Sequence, residues 1–218
     1  MELNPEKTLL LIIDVQNDFC PGGALAVNDG DIVIAPLNAL SAGFAEKGIR
    51  VAATQDWHCE GHISFASVHG RKSGNVIDTP LVKGQVLWPN HCVQGTQGAE
   101  FHPDLDLKPV TAIFRKGSNK DIDSYSAFFE NDKKTKTGLD GYLRSLGIET
   151  VIMGGLATDY CVFYSAMDCR KLGFNTIIVG DAVRGVGFPE GSVKKAISDM
   201  KAAGVSFCAS KELLDTLE

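Results

Sequence analysis

Apolar residues in this chain follow two alternating patterns: short unbroken runs, and stretches in which they recur every three or four positions. Thr8–Asp14, Arg50–Thr54, Val110–Phe114, Thr150–Met153, Thr176–Val179 and Val205–Cys208 have the length and β-rich content of strands. Between them, Ile32–Ala45 carries Ile34, Leu37, Leu40 and Phe44 near helical spacing, with Gly48 closing it. Leu139–Leu146 ends at Gly147, Asp159–Leu172 ends at Gly173, and Pro189–Ala203 precedes the last strand. Apolar strands alternating with helices predict an α/β fold. Its core is an open, mainly parallel sheet of about six strands, covered by helices on both faces through right-handed crossovers.

The 218 residues, 44% of them hydrophobic, are enough to bury a full core, and no linker-like tract divides them, so residues 1–218 are expected to form a single domain. The 21 basic and 27 acidic residues leave a net charge of −6, with Lys and Arg scattered along the chain. That distribution argues against nucleic acid or an anionic membrane as partner. The longest apolar runs fall well short of the roughly 18 residues a spanning helix needs, and the charged start Met1–Lys7 lacks the pattern of a signal peptide, so a cytoplasmic location is expected. Six dispersed cysteines without a C-x-x-C pair fit reduced thiols better than a disulfide framework.

Three polar residues follow the ends of three of the runs: Asp14, Lys116 and, a few residues after Val151-Ile152-Met153-Gly154-Gly155, Cys161. Parallel strands place their carboxyl ends along one edge, so an acid, an ammonium and a thiol far apart in sequence are expected to converge there. The Gly-rich turn Gly154–Cys161, with Thr158 or Asp159 as N-cap, would put Cys161 in the first turn of a helix. Backbone N–H groups and the helix dipole favour a thiolate there. N–H groups from Ala157 to Cys161 would also face any carbonyl the sulfur attacks.

Asp56–Pro109 is a long irregular stretch, and such stretches in compact domains usually carry function. It opens on Asp56-Trp57-His58, whose i and i+2 side chains point the same way from extended backbone and so supply two metal ligands. His62 or His91 can add a third, giving an Asp/His set suited to zinc, iron or manganese with positions left open. His69 and His102 read as ordinary loop residues.

Five strings, taken together and in order, carry a resemblance. They are Ile12-Ile13-Asp14-Val15-Gln16-Asn17-Asp18-Phe19, Gln55-Asp56-Trp57-His58, Trp88-Pro89-Asn90-His91-Cys92-Val93, Asp123-Ser124-Tyr125-Ser126-Ala127-Phe128 and Gly155-Leu156-Ala157-Thr158-Asp159-Tyr160-Cys161-Val162. The chain resembles the nicotinamidases of the isochorismatase-like cysteine hydrolase superfamily over nearly its whole length. The resemblance implies a three-layer α/β/α sandwich and an amidohydrolase that converts nicotinamide to nicotinate and ammonia in NAD salvage, with pyrazinamide-like pyridine carboxamides also accepted. It implies a catalytic triad of Asp14, Lys116 and Cys161, with oxyanion-hole N–H groups from Ala157 and Cys161. By analogy Asp56, His58 and His91 match the ligands of one divalent ion, zinc in the first place with iron or manganese as alternatives, and His62 is a further candidate. Phe19, Trp88 and Tyr125 match the aromatic pocket, and Leu156-Ala157 matches a pocket segment whose peptide bond is cis in that family. Cys59 departs from the pattern, since many relatives carry proline after D-W-H.

The same residues admit rivals. Another small-amide or carbamoyl amidohydrolase of the superfamily would keep the triad without needing a metal for a pyridine nitrogen. A hydrolase acting through metal-activated water would make Cys161 dispensable, and a catalytically dead binding domain would have lost a triad member. A redox sensor would place a resolving cysteine near Cys161. Gly185-Val186-Gly187 lacks the third glycine of a dinucleotide loop, and Lys133-Lys134-Thr135-Lys136 reads as a solvated loop. Phe163 and Tyr164 are expected in core packing or in a subunit contact of a homo-oligomer.

Overall fold

In the computed structural model, which describes residues 3–217, the central sheet has six strands in parallel register. They are β1 (Thr8–Ile13), β2 (Arg50–Asp56), β5 (Val110–Lys116), β6 (Thr150–Leu156), β7 (Asn175–Arg184) and β8 (Ser206–Cys208). Their order across the sheet is β5-β2-β1-β6-β7-β8, every adjacent pair parallel. β1 lies in the middle and is buried along its whole length, which explains its unbroken Leu-Leu-Leu-Ile-Ile run. Side chains that alternate across the sheet feed two cores. Leu10 and Ile12 pack with Leu37, Leu40 and Phe44 of α1 (Ile34–Glu46) and Leu213 of α5 (Ser210–Asp215). Leu9, Leu11 and Ile13 pack on the other face with α2 (Leu139–Ser145), α3 (Cys161–Lys171) and α4 (Ser192–Ala202) through Leu143, Val162, Ala166 and Met200. The result is the three-layer α/β/α arrangement expected.

The differences from the sequence reading lie at element ends. β2, β5, β6 and β7 run past the apolar runs, because polar residues and glycines that interrupt the apolar pattern stay paired in the sheet. The 56–109 stretch holds a two-stranded antiparallel hairpin, β3 (Val76–Ile77) and β4 (Gln85–Val86), together with short 3₁₀ turns. α5 was also missed, being too short for a helical period to register. Among the lysines of the 133–136 segment, Lys133 pairs with Asp168 at 3.0 Å and Lys136 with Asp140 at 3.1 Å, so that loop is tethered rather than simply solvated.

Candidate active site and metal centre

β1 stops where Asp14 takes a left-handed backbone conformation (φ 49°), which turns the chain off the sheet at its carboxyl edge. Asp56 ends β2, Lys116 ends β5, and the two are paired in register on neighbouring strands. In β6, any Cβ at Gly155 (φ 123°) would collide with the Ile13 backbone. Glycine alone allows β6 to approach β1 this closely as it leads into the turn before Cys161.

Asp14, Lys116 and Cys161 converge at this edge. Lys116 Nζ lies 2.8 Å from Asp14 Oδ2 and 3.4 Å from Cys161 Sγ. It also donates to Asp56 Oδ1 at 2.9 Å and to the Ser124 carbonyl at 3.0 Å. An ammonium has three protons, so four acceptors around it cannot all be served. Asp14 Oδ2 is the oxygen left without a well-directed hydrogen bond, although its charge contact with Lys116 is close. Its other oxygen accepts from the Thr54 hydroxyl at 2.6 Å.

Burial pushes the Cys161 thiol well above its ordinary range, Lys116 pulls it back, and Asp14 and Asp56 add to the rise. Burial also raises Asp14 against the pull of Lys116. Burial works against the charge on Lys116, yet Asp14 and Asp56 hold it well above the ordinary lysine range. Position at a helix start therefore does not by itself give a thiolate here: burial opposes the anion, and the Lys116 ammonium that the sulfur shares with Asp14 is the group that favours it.

The helix also begins later than expected. Tyr160, not Thr158 or Asp159, occupies the N-cap position of α3, with no side-chain cap. Asp159 instead accepts from the Val186 and Gly187 N–H groups at 2.9 Å each and from the Ser192 hydroxyl at 2.5 Å, fastening the turn to the loop after β7. The Thr158 N–H donates to the Arg184 carbonyl and the Tyr160 N–H to that of Ala157. Those of Ala157 and Cys161 meet no protein acceptor among the described residues. The Leu156–Ala157 peptide bond is cis.

Beside the thiol lies the Asp/His set. Asp56 Oδ2 is 3.1 Å from His58 Nε2 and 3.6 Å from His91 Nε2, and all three side chains are buried. Ligands about 2.0–2.2 Å from a common ion stand roughly 3–3.6 Å apart, which is the spacing found. Both imidazoles turn Nδ1 to a backbone carbonyl, His58 to Gly117 and His91 to Pro89, each at 2.8 Å. Nδ1 is thereby fixed as donor and Nε2 is left as a lone-pair ligand. Burial works against a charge on His58, yet Asp56 and then Asp123 bring it up to about 9, so the surroundings favour positive charge. The residues present fit a divalent cation. His62 turns Nδ1 to Ser64 Oγ at 2.7 Å and Nε2 to the Ile122 carbonyl at 3.3 Å. It groups with His58 and Asp123 rather than with Asp56 and His91.

Thiol and metal set open into one cavity whose apolar walls are Phe19, Leu25, Trp88, Tyr125, Tyr160 and Val186. Asp56, His91, Asp123, Ala157 and Cys161 also line it, while Asp14 and Lys116 lie behind the sulfur, wholly buried. Trp88 Nε1 donates to the Tyr125 hydroxyl at 3.0 Å, which fixes the two rings relative to each other. Leu156, expected in the pocket, instead packs in the apolar core, because its side chain points to the α1 face. Asp123 and Tyr160 were missed as site residues although both lie inside the motif strings. Leu25 and Val186 carried no signal, being single apolar residues on loops.

Residues 8–212 match the Isochorismatase domain. The chain belongs to that family. It is 47% identical over 206 residues to a nicotinamidase of Acinetobacter baylyi, covering 94% of each chain. Among solved structures, an Acinetobacter baumanii nicotinamidase/pyrazinamidase superposes with a TM-score of 0.91 at 46% identity, over 97% of this chain and 100% of that one. A Pyrococcus horikoshii pyrazinamidase, solved in complex with zinc, superposes with a TM-score of 0.77 at 36% identity, over 93% and 99% of the two chains.

Proposed function

We propose that this chain is an amidohydrolase that converts nicotinamide to nicotinate and ammonia through a thioester on Cys161, and that it also accepts pyrazinamide-like carboxamides. The observation that carries the reading is the contact of Lys116 with both Asp14 and Cys161 at the cavity that also holds Asp56 and His91. The similarity to the Acinetobacter nicotinamidases supports the choice of substrate.

In this reaction Asp14 takes the thiol proton as the sulfur attacks the amide carbon, and Lys116 keeps the resulting charges paired. The N–H groups of Ala157 and Cys161 receive the developing oxyanion. Asp14 returns its proton to the leaving nitrogen, the C–N bond breaks, and ammonia departs from a nicotinoyl thioester. Asp14 then accepts a proton from water as it attacks the thioester carbonyl, releasing nicotinate and restoring the thiol. Phe19, Trp88 and Tyr125 hold the ring between them. Asp56, His58 and His91 would hold a divalent ion, which would supply a Lewis acid for the pyridine nitrogen, with zinc favoured by the Pyrococcus relative's complex.

Incubating the purified protein with nicotinamide, and quantifying ammonia and nicotinate before and after chelation, tests this reading. Equimolar products that fall away on chelation and return with Zn²⁺ are expected. Absence of both products from the metal-replete protein would overturn it.

A further inference from the structure

Asp123 is a buried carboxylate, 3% exposed, that lines the cavity and has no role in the reaction above. Its Oδ1 accepts the Ser124 N–H at 2.8 Å and its Oδ2 accepts Gln85 Nε2 at 3.0 Å. Both partners are neutral. Among the described residues no lysine or arginine lies within ion-pairing distance of it, and its basic neighbours are two imidazoles, His58 Nε2 at 4.0 Å from Oδ1 and a ring nitrogen of His62 within 4.8 Å. The other two buried acids of the site, Asp14 and Asp56, share the single charge of Lys116, which contacts them at 2.8 and 2.9 Å. A buried carboxylate without a counter-charge is costly, and chains keep one where a cation completes it.

With Asp14 balanced by Lys116, the charges left at the cavity are Asp56 and Asp123, two negatives that one divalent ion neutralises. We infer that Asp123 is the counter-charge of the cation centre: a positioning residue that holds a divalent ion at Asp56, His58 and His91 without ligating it. Opposite charges in a buried, low-dielectric setting couple strongly. Gln85 reaches in from β4 to fix the carboxylate, and it contacts the Tyr125 hydroxyl at 3.3 Å as well. The hairpin, the aromatic wall and the cation centre are thereby joined.

The inference rests on the cation being held by Asp56, His58 and His91, so the experiment carries a control for that reading. The parent, Asp123→Asn and His91→Ala proteins are stripped of metal, titrated with Zn²⁺ against a chelating dye, and melted with and without zinc. Asp123→Asn is expected to bind zinc 10–100-fold more weakly. Its metal-free melting temperature should stay close to the parent's, while the rise on adding zinc shrinks. A merely structural role would instead lower the metal-free melting temperature and leave the zinc-induced rise intact. That result overturns the inference, as does parent-like zinc affinity in Asp123→Asn when His91→Ala has lost it. Parent-like affinity in His91→Ala would overturn the metal reading itself. Asp123→Ser, which removes the charge without adding an amide beside Gln85, should reproduce the weakening.

Discussion

Asp56 and Lys116 end neighbouring strands in direct register and meet at 2.9 Å through Asp56 Oδ1, while Asp56 Oδ2 faces His58 and His91. One carboxylate therefore serves both the metal set and the charge network behind the thiol. Removing it should damage both. Asp56→Asn is expected to lose zinc, as His91→Ala does, and to fall on the order of 10²-fold further in kcat because Lys116 also loses a partner. Equal residual turnover in the two variants, measured by ammonia release at saturating nicotinamide and Zn²⁺, would confine Asp56 to metal binding.

Cys161 contacts Lys116 but none of the candidate metal ligands is recorded within bonding distance of its sulfur. Cys161→Ala should therefore cut ammonia release by on the order of 10⁴-fold or more while keeping its metal content. Appreciable turnover in that variant would favour attack by a metal-activated water over the thioester route.

The convergence of Asp14, Lys116 and Cys161 was legible in the sequence because each follows an apolar run, and parallel strands share one carboxyl edge. Asp56-Trp57-His58 was legible for a similar reason, through its alternation at the end of β2. What the sequence could not convey was the environment. The Cys161 thiol is raised rather than lowered, since burial depends on everything packed around the sulfur and outweighs the local helix start. Asp159 reads as a cap by residue type, but its carboxylate is spent on the loop at Val186–Ser192, a pairing set only by tertiary packing. Asp123 shows no feature in isolation, because its interest lies in the cations it lacks.

Gly117, just past β5, takes φ 64°, and a Cβ there would stand 2.5 Å from His58 Cε1. Its carbonyl is the group that orients His58 Nδ1. Gly117→Ala should weaken Zn²⁺ binding by about 10–100-fold and destabilise the protein by about 1 kcal/mol or more. Gly95, at φ 75° with nothing within 4 Å of a Cβ, is the control. Gly95→Ala bears the same backbone strain but should keep parent zinc affinity in a chelator competition. Matching losses in the two variants would mean that strain, rather than the clash with His58, governs the site.

Asp140, in the first turn of α2, accepts from Lys136 at 3.1 Å and Arg144 at 2.7 Å. Burial works to raise its carboxyl, but these two hydrogen bonds outweigh that and hold it below the ordinary carboxylate range. A carboxyl with a folded value below its unfolded one binds more protons when unfolded. Its contribution is thus complete above the unfolded value of about 3.9 and fades as pH falls through the lower folded value. Both cations are more than half exposed, so the contribution is limited to about 1 kcal/mol. Denaturant melts of the parent and Asp140→Asn should accordingly differ by that amount at neutral pH and converge in acid, once the pH has fallen through the lowered folded value. A gap that persists unchanged into acid would show that the amide perturbs packing at the start of α2, and that the charge contacts add nothing.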